Sequence, residues 1–169
     1  MIYKSFYGYL MAVILRYVKD RNDAEEIVND TFIKIFKSIV QFVPPADKTA
    51  LEKAFKAWIA KIGSRTAIDF LRSKRVFLSI EEITEAQIPE TLVNVVSALH
   101  VKDILKLIES LPEIQGLIFN LFEIEGFSHS EIAKLLDIPE SSSRVYLTRA
   151  KQKLRILYSK SLIYSNATS

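Results

Sequence analysis

Residues that break helices are scarce in this chain, and they are grouped. The 169 residues contain four glycines and five prolines. Gly8 is the only one of them before Pro44, and Gly63 the only one between Pro45 and Pro89. Sheets joined by tight turns need such residues often, because Pro presets φ and Gly supplies positive φ. Long stretches without them, carrying apolar residues at intervals of three and four, predict an all-α chain. Hydrophobic residues make up 49% of the sequence, enough to build cores and to exclude wholesale disorder.

The interruptions divide the chain into two small helical domains joined by a flexible linker. Helical runs are expected at 3–18, 22–40 and 51–74, with a break at 41–48 where Pro44 and Pro45 forbid continuation. Residues 79–90 (SIEEITEAQIPE) have weak periodicity and scattered acids, and read as linker. Further helices are expected at 95–110, 113–124, 129–136 and 141–160, punctuated by Pro112, Gly126 and Pro139. The domains are thus 1–76 and 95–161, with linker 77–94 and tail 162–169.

Several classes of function are excluded. Cysteine is absent, so there are no disulfides or thiolate metal sites, which fits a reducing cytoplasm. The two histidines, His100 and His129, have no partner motif, and no Gly-rich phosphate loop, HExxH or nucleophile elbow occurs. No catalytic residue, cofactor or metal is expected. The apolar stretch 6–15 is too short to span a bilayer and runs straight into Arg16, Lys19, Asp20 and Arg21 without a cleavage site. It reads as a buried first helix, with no direct membrane insertion.

The most specific pattern lies in SHSEIAKLLDIPESSSRVYLTRAKQK, residues 128–153. Ser128 and Glu131 form a capping box that starts a short helix. Asp137, Ile138 and Pro139 make a turn, and Ser141 or Ser142 is expected to cap the next helix. This is a helix-turn-helix, whose second helix can enter the major groove. On a wheel of 100° per residue, Leu147, Ala150, Leu154 and Leu157 face inward. Val145, Thr148, Arg149 and Gln152 lie opposite, flanked by Arg144, Lys151, Lys153 and Arg155. After Glu140 no acid occurs, while Arg and Lys total six. An unmixed cationic face suits phosphates and base edges. His129, in the first turn of the capped helix, reads as an exposed polar residue without a special role.

The first domain sorts by face as well. In the third run Phe55, Trp58, Ile59, Ile62, Thr66 and Phe70 face a core. Lys61, Arg65, Ile68 and Arg72 share another side, Lys74 and Arg75 extend its charge, and Asp69 is expected to pair with Arg65 and Arg72. That stripe is a second candidate DNA surface. In the second run Ala24, Ile27, Val28, Phe32, Ile35 and Ile39 face inward. Outside stand Glu26, Asp30, Ile33 and Lys37, with Asp23 and Asn29 beside them. An acidic ridge bearing an exposed isoleucine repels DNA and suits a protein partner.

Three stretches, DAEEIVNDTFIKIF (23–36), AWIAKIGSRTAIDFLRSKR (57–75) and LPEIQGLIFNLFEIEGFSHSEIAKLLDIPESSSRVYLTRAKQKL (111–154), resemble in order and spacing the extracytoplasmic-function (ECF) group of RNA polymerase sigma factors. The resemblance implies a factor that binds core polymerase and directs promoter recognition, DNA opening and transcription initiation. It implies that Asp23, Glu26, Asn29, Asp30 and Ile33 contact the clamp helices of the beta-prime subunit. Lys61, Ser64, Arg65, Ile68, Arg72 and Arg75 would contact the minus-ten element, with a flipped base held by the loop at 41–51. Ser142, Arg144, Val145, Thr148, Arg149, Lys151 and Lys153 would serve the minus-thirty-five element. The second domain would also touch the beta-flap, and an anti-sigma partner is implied. Asp137 stands where the family usually has Gly; Asp takes a left-handed backbone at modest cost. The alternative is a stand-alone helix-turn-helix regulator, which would dimerise to double its contact area.

Overall fold

The computed structural model describes residues 2–74 and 106–166, with side chains to residue 160. The expected linker, the first part of the helix expected at 95–110, and Arg75 lie outside the described residues. Every regular element among those described is helical.

Three helices build the N-terminal domain: α1 (Ile2–Ile14), α2 (Arg21–Ser38) and α3 (Leu51–Ser73). Asp20 starts α2 by accepting from the Asp23 amide at 2.9 Å, which satisfies a first-turn N–H that has no partner within the helix. Two short 3-10 turns, Ile39–Gln41 and Lys48–Ala50, flank the proline pair. Asp47 caps the second, its carboxylate held below the usual range by the Thr49 hydroxyl and amide. The three helices close on one core in which Ala24, Ile27, Val28, Phe32, Ile35 and Ile59, read as inward from the sequence, are buried together with Leu10, Ile14 and Ala67. Each such Leu, Ile or Phe contributes about 1.5–3 kcal/mol. Trp58 packs at the core's edge against Phe42 and Phe55. Gly63 lies where α1 crosses α3, and a Cβ there would stand 3.3 Å from Leu10 Cδ2.

The C-terminal domain comprises a helical end at 106–109, then α4 (Glu113–Phe119), α5 (His129–Leu136) and α6 (Glu140–Asn166). Past Phe119 the helix widens into a π-turn, Asn120–Ile124, closed by Glu125 N donating to Asn120 O at 3.0 Å. Gly126 at φ 70 redirects the chain, and Phe127 drops into the core, 2% exposed. Asp137 does adopt the left-handed conformation, at φ 56.

Some local expectations give way. α6 starts at Glu140, so Ser141 and Ser142 sit inside its first turn instead of capping it. Glu140 there favours the helix dipole. The helix runs on to Asn166, past the expected end near Lys160, because nothing after Pro139 breaks it. Asp69 pairs with neither arginine: among the described residues its ion-pair partner is Lys34 of α2, at 3.9 Å. Arg65 and Arg72 turn the other way, toward the C-terminal domain.

Candidate nucleic-acid interface

The helix-turn-helix is held by local bonds. Ser128 Oγ accepts from the Glu131 amide at 3.2 Å, and Glu131 Oε2 accepts from the Ser128 amide at 2.9 Å, completing the capping box. The Ser128 amide is the first cause holding the Glu131 carboxyl below its ordinary range. Ile132 is fully buried, and the Asp137 turn brings Ile138 into the same core. From α6, Tyr146, Leu147 and Ala150 are buried. Tyr146 was not expected inside; it lies one helical step from Leu147, so the buried arc is wider than the aliphatic residues suggested.

The predicted minus-thirty-five residues divide by surroundings. Arg144 is exposed and pairs with Glu140 one turn back. Val145, Thr148 and Arg149 are half-buried, so none of the four wheel-derived residues is packed inside its own domain. Thr148 Oγ1 donates to the Arg144 carbonyl at 3.0 Å. Ser142 is half-buried and Lys153 exposed. Arg149, Gln152, Lys153 and Ile156 line a shallow groove with Gln115 of α4. Lys151 is instead tied inward, 2.6 Å from Glu123 and 6.0 Å from the Phe122 ring centre.

His129 corrects its expected reading. Its ring stacks on Phe122 with centroids 4.4 Å apart, and Nδ1 lies 2.9 Å from Ser143 Oγ. Ser143 is fully buried. Burial, then Arg144, pushes the imidazole below its usual range. His129 therefore pins the start of α5 to the π-turn and to α6.

On α2, Glu26, Asn29 and Asp30 are exposed, and Ile33 is half exposed. Tyr3 donates to Asn29 Oδ1 at 2.9 Å. Asp23 is half-buried and accepts from Lys74 Nζ at 2.7 Å. Phe36, as open as Ile33, widens the apolar patch on this ridge; the sequence reading assigned it to neither face.

The α3 stripe faces the second domain. Lys61 Nζ and the Arg65 guanidinium sit over the Phe127 ring at 5.1 and 5.3 Å. Arg65 also reaches Glu131 Oε1 at 3.2 Å, and Arg72 donates to the Leu135 carbonyl at 3.3 Å. Ile68 is 1% exposed and belongs to the C-terminal core, and Ser64 is fully buried. Beside them Arg16 pairs with Glu125 at 2.6 Å, the carboxylate side chain only 4% exposed. Sequence reasoning missed Arg16, Glu125 and Phe127; no local pattern marks a contact between residues so far apart in the chain.

A capped helix, a left-handed turn residue and a cationic second helix, beside a separate three-helix domain, define a two-domain protein of the helix-turn-helix DNA-binding class. Residues 2–76 match the family profile for Sigma-70 region 2 and residues 102–154 that for Sigma-70, region 4. The chain is 25% identical over 170 residues to the ECF RNA polymerase sigma-E factor of Haemophilus influenzae, covering 91% of this chain and 84% of that protein. It is 26% identical over 157 residues to the sigma-E factors of Salmonella typhimurium and Escherichia coli K12, covering 85% of this chain and 77% of each. A solved sigma factor RpoE from Bartonella quintana, crystallised with the anti-sigma factor NepR, shares the fold at TM-score 0.52 and 18% identity, over 93% of this chain and 94% of that one. The chain belongs to the sigma-70 family, in its ECF group, and is an RNA polymerase sigma factor. Among the described residues no helix is long and apolar enough to cross a membrane.

Proposed function

We propose that this sigma factor docks on core RNA polymerase in the cytoplasm, guides it to promoters whose two elements its domains read, and makes or breaks no bond itself. The exposed ridge of α2, with Glu26, Asn29, Asp30 and Ile33 and with Asp23 at its start, meets the beta-prime clamp helices. Lys61, Arg65, Arg72 and Arg75 serve the minus-ten element, while Ser64 and Ile68, expected beside them, are buried and are left out of this role. The loop at 41–51, where Val43 stands 84% exposed, receives an unstacked base. Capturing such a base offsets the few kcal/mol that unstacking costs. α6 serves the minus-thirty-five element through Ser142, Arg144, Val145, Thr148, Arg149 and Lys153, with Lys151 at its edge. The second domain also meets the beta-flap.

One observation carries the reading. The capping box and the left-handed Asp137 set the turn so that α6 buries Leu147 and Ala150 while Arg144 stays exposed and Arg149 half-buried. The solved relative crystallised with an anti-sigma factor supports a similar inhibitory partner here. The test is run-off transcription from genomic fragments by core polymerase with and without this chain. New, discrete start sites are expected; their absence would defeat the proposal.

A further inference from the structure

We infer that Glu140 is a specificity-determining residue of the promoter-reading helix. Its carboxylate grips the Arg144 guanidinium and holds it in the pose that forks onto a guanine, at some loss of affinity for DNA in general. The inference deepens the proposed function and rests on its reading of α6 as the helix that meets the minus-thirty-five element.

The charge pattern of α6 is one-sided. Glu140 opens the helix, and after it no acid occurs, while Arg and Lys total six. An acid in the first turn favours the helix dipole. In a helix-turn-helix, however, that end of the second helix lies nearest the base edges, with phosphates close by. A carboxylate facing phosphates weakens binding to every sequence alike. Its effect on DNA is useful only where it changes which sequence is bound.

The contact that Glu140 makes supplies such a change. A terminal nitrogen of Arg144 donates to Glu140 Oε1 across one helical turn. The acid stands N-terminal to the base at a spacing of four, the favoured order on a helix. Both side chains are exposed, so the pair adds little to stability. Its consequence is geometric. A free arginine side chain swings among many rotamers and clings to whichever phosphate is near. Held at one terminal nitrogen, the planar guanidinium keeps its other N–H groups in a fixed fork. Guanine presents O6 and N7 side by side in the major groove, and this pair of acceptors takes such a fork.

The backbone beneath the pair is already fixed. Ser143 is fully buried, its Oγ lies 2.9 Å from His129 Nδ1, and its amide donates to the Pro139 carbonyl at 3.3 Å. Thr148 Oγ1 donates to the Arg144 carbonyl at 3.0 Å. The start of α6 thus has a set place against α5, and the guanidinium is the part left for a side chain to orient. Glu140 therefore acts through Arg144, as a positioning residue. Lys151 is tied elsewhere, 2.6 Å from Glu123 of the π-turn, and Arg149 lies beside Gln115 and Gln152.

The test uses holoenzyme formed from core polymerase and the full chain. It selects duplexes from a pool randomised over the minus-thirty-five element of a promoter found by the run-off assay, and the bound fragments are sequenced. The variants are Glu140→Ala, Glu140→Gln, Arg144→Ala and Glu140→Ala with Arg144→Ala. Circular dichroism and thermal melts check that each stays folded. The native chain should prefer guanine by about tenfold or more at the base pair whose preference Arg144→Ala removes. Glu140→Ala should cut that preference to about threefold or less and leave the other positions as they were. Its affinity for a promoterless duplex, read by anisotropy at low salt, should hold or rise. Glu140→Gln loses the charge but keeps an acceptor oxygen, so it should retain part of the preference. In the Arg144→Ala background Glu140→Ala should change nothing at that pair.

An unchanged guanine preference in Glu140→Ala overturns the inference. So does an Arg144→Ala variant that relaxes no base pair, or relaxes one where guanine is not preferred. A uniform fall at all positions and on the promoterless duplex shows a damaged helix start and overturns it too. A Gln variant no better than Ala leaves only the dipole, and a Glu140 effect that survives without Arg144 makes Glu140 a direct reader. Either result rejects the positioning role. Failure of the proposed function looks different: native holoenzyme then yields no promoter and enriches no sequence.

Discussion

Two cations on α6 separate reading from support. Arg149 is half-buried beside the groove of α6 and α4, while Lys151 is held by Glu123. Arg149→Ala should lower promoter use by about 1–3 kcal/mol if the side chain forks onto a base, and by less, with a softer salt dependence, if it meets only phosphate. Lys151→Ala should act through stability. Initial run-off rates at several salt concentrations, set beside thermal melts, distinguish the two. His129 gives a pH prediction. Its folded value is depressed by burial, with Arg144 and Lys151 adding to this and Glu140 opposing it. The neutral ring fits and the charged ring does not, so its contribution is present above the unfolded value of 6.5 and is lost as pH falls through the depressed value. Thermal midpoints should drop between about pH 7.5 and pH 5. His129→Phe, which keeps a ring against Phe122, should flatten that drop; an equal slope in the variant would remove His129 from the account.

At the scale of the helix, Gly63 tests the packing of the first domain. An added Cβ would lie 3.3 Å from Leu10 Cδ2 and 3.7 Å from Thr31 Cγ2. Gly63→Ala gains up to about 1 kcal/mol of helix propensity, and the neighbouring methyl can give way, so it should stay within about 1 kcal/mol of native. Gly63→Leu should lose about 1–3 kcal/mol by overpacking. Urea melts with unchanged slope would show this, and a native-like Leu variant would refute the close crossing of α1 and α3. Helices of this kind were legible because their cause is local. Periodicity marked the inward faces of α2 and α3, Ser128 with Glu131 marked the start of α5, and Asp137 took the left-handed turn expected of it. Failures came where several local solutions compete. Asp20 caps α2 with no signal beyond residue type, three serines left the start of α6 ambiguous, and a π-turn has no composition of its own. The side of α3 to which Asp69 turns depends on Lys34, a residue of another helix.

The arrangement of the two domains was beyond a reading by periodicity, because the stripe that suits DNA also suits Glu131, Phe127 and the Leu135 carbonyl. A cationic face does not name its partner, and the same side chains serve whichever anion or ring comes near. Among the interface groups, Glu125 carries a pH response. Burial raises its carboxyl above the ordinary range, while Arg16 and, more weakly, Lys61 draw it down. Tyr9 and Tyr17 also face it, both held neutral to higher pH by burial. A carboxyl whose value rises on folding contributes most to stability below its free value of 4.5, and that contribution fades as pH climbs through the raised value. That part of the stability should therefore be lost from acid toward neutral pH even though Arg16 remains paired. Glu125→Gln removes this titration, and its amide oxygen can still accept from Arg16. The thermal midpoint of the native chain, measured against that of the Gln variant at each pH, should thus decline as pH rises from about 4.5 to 7.5. If the two profiles coincide, the pH response arises elsewhere and Glu125 acts only as the fixed counter-charge of Arg16.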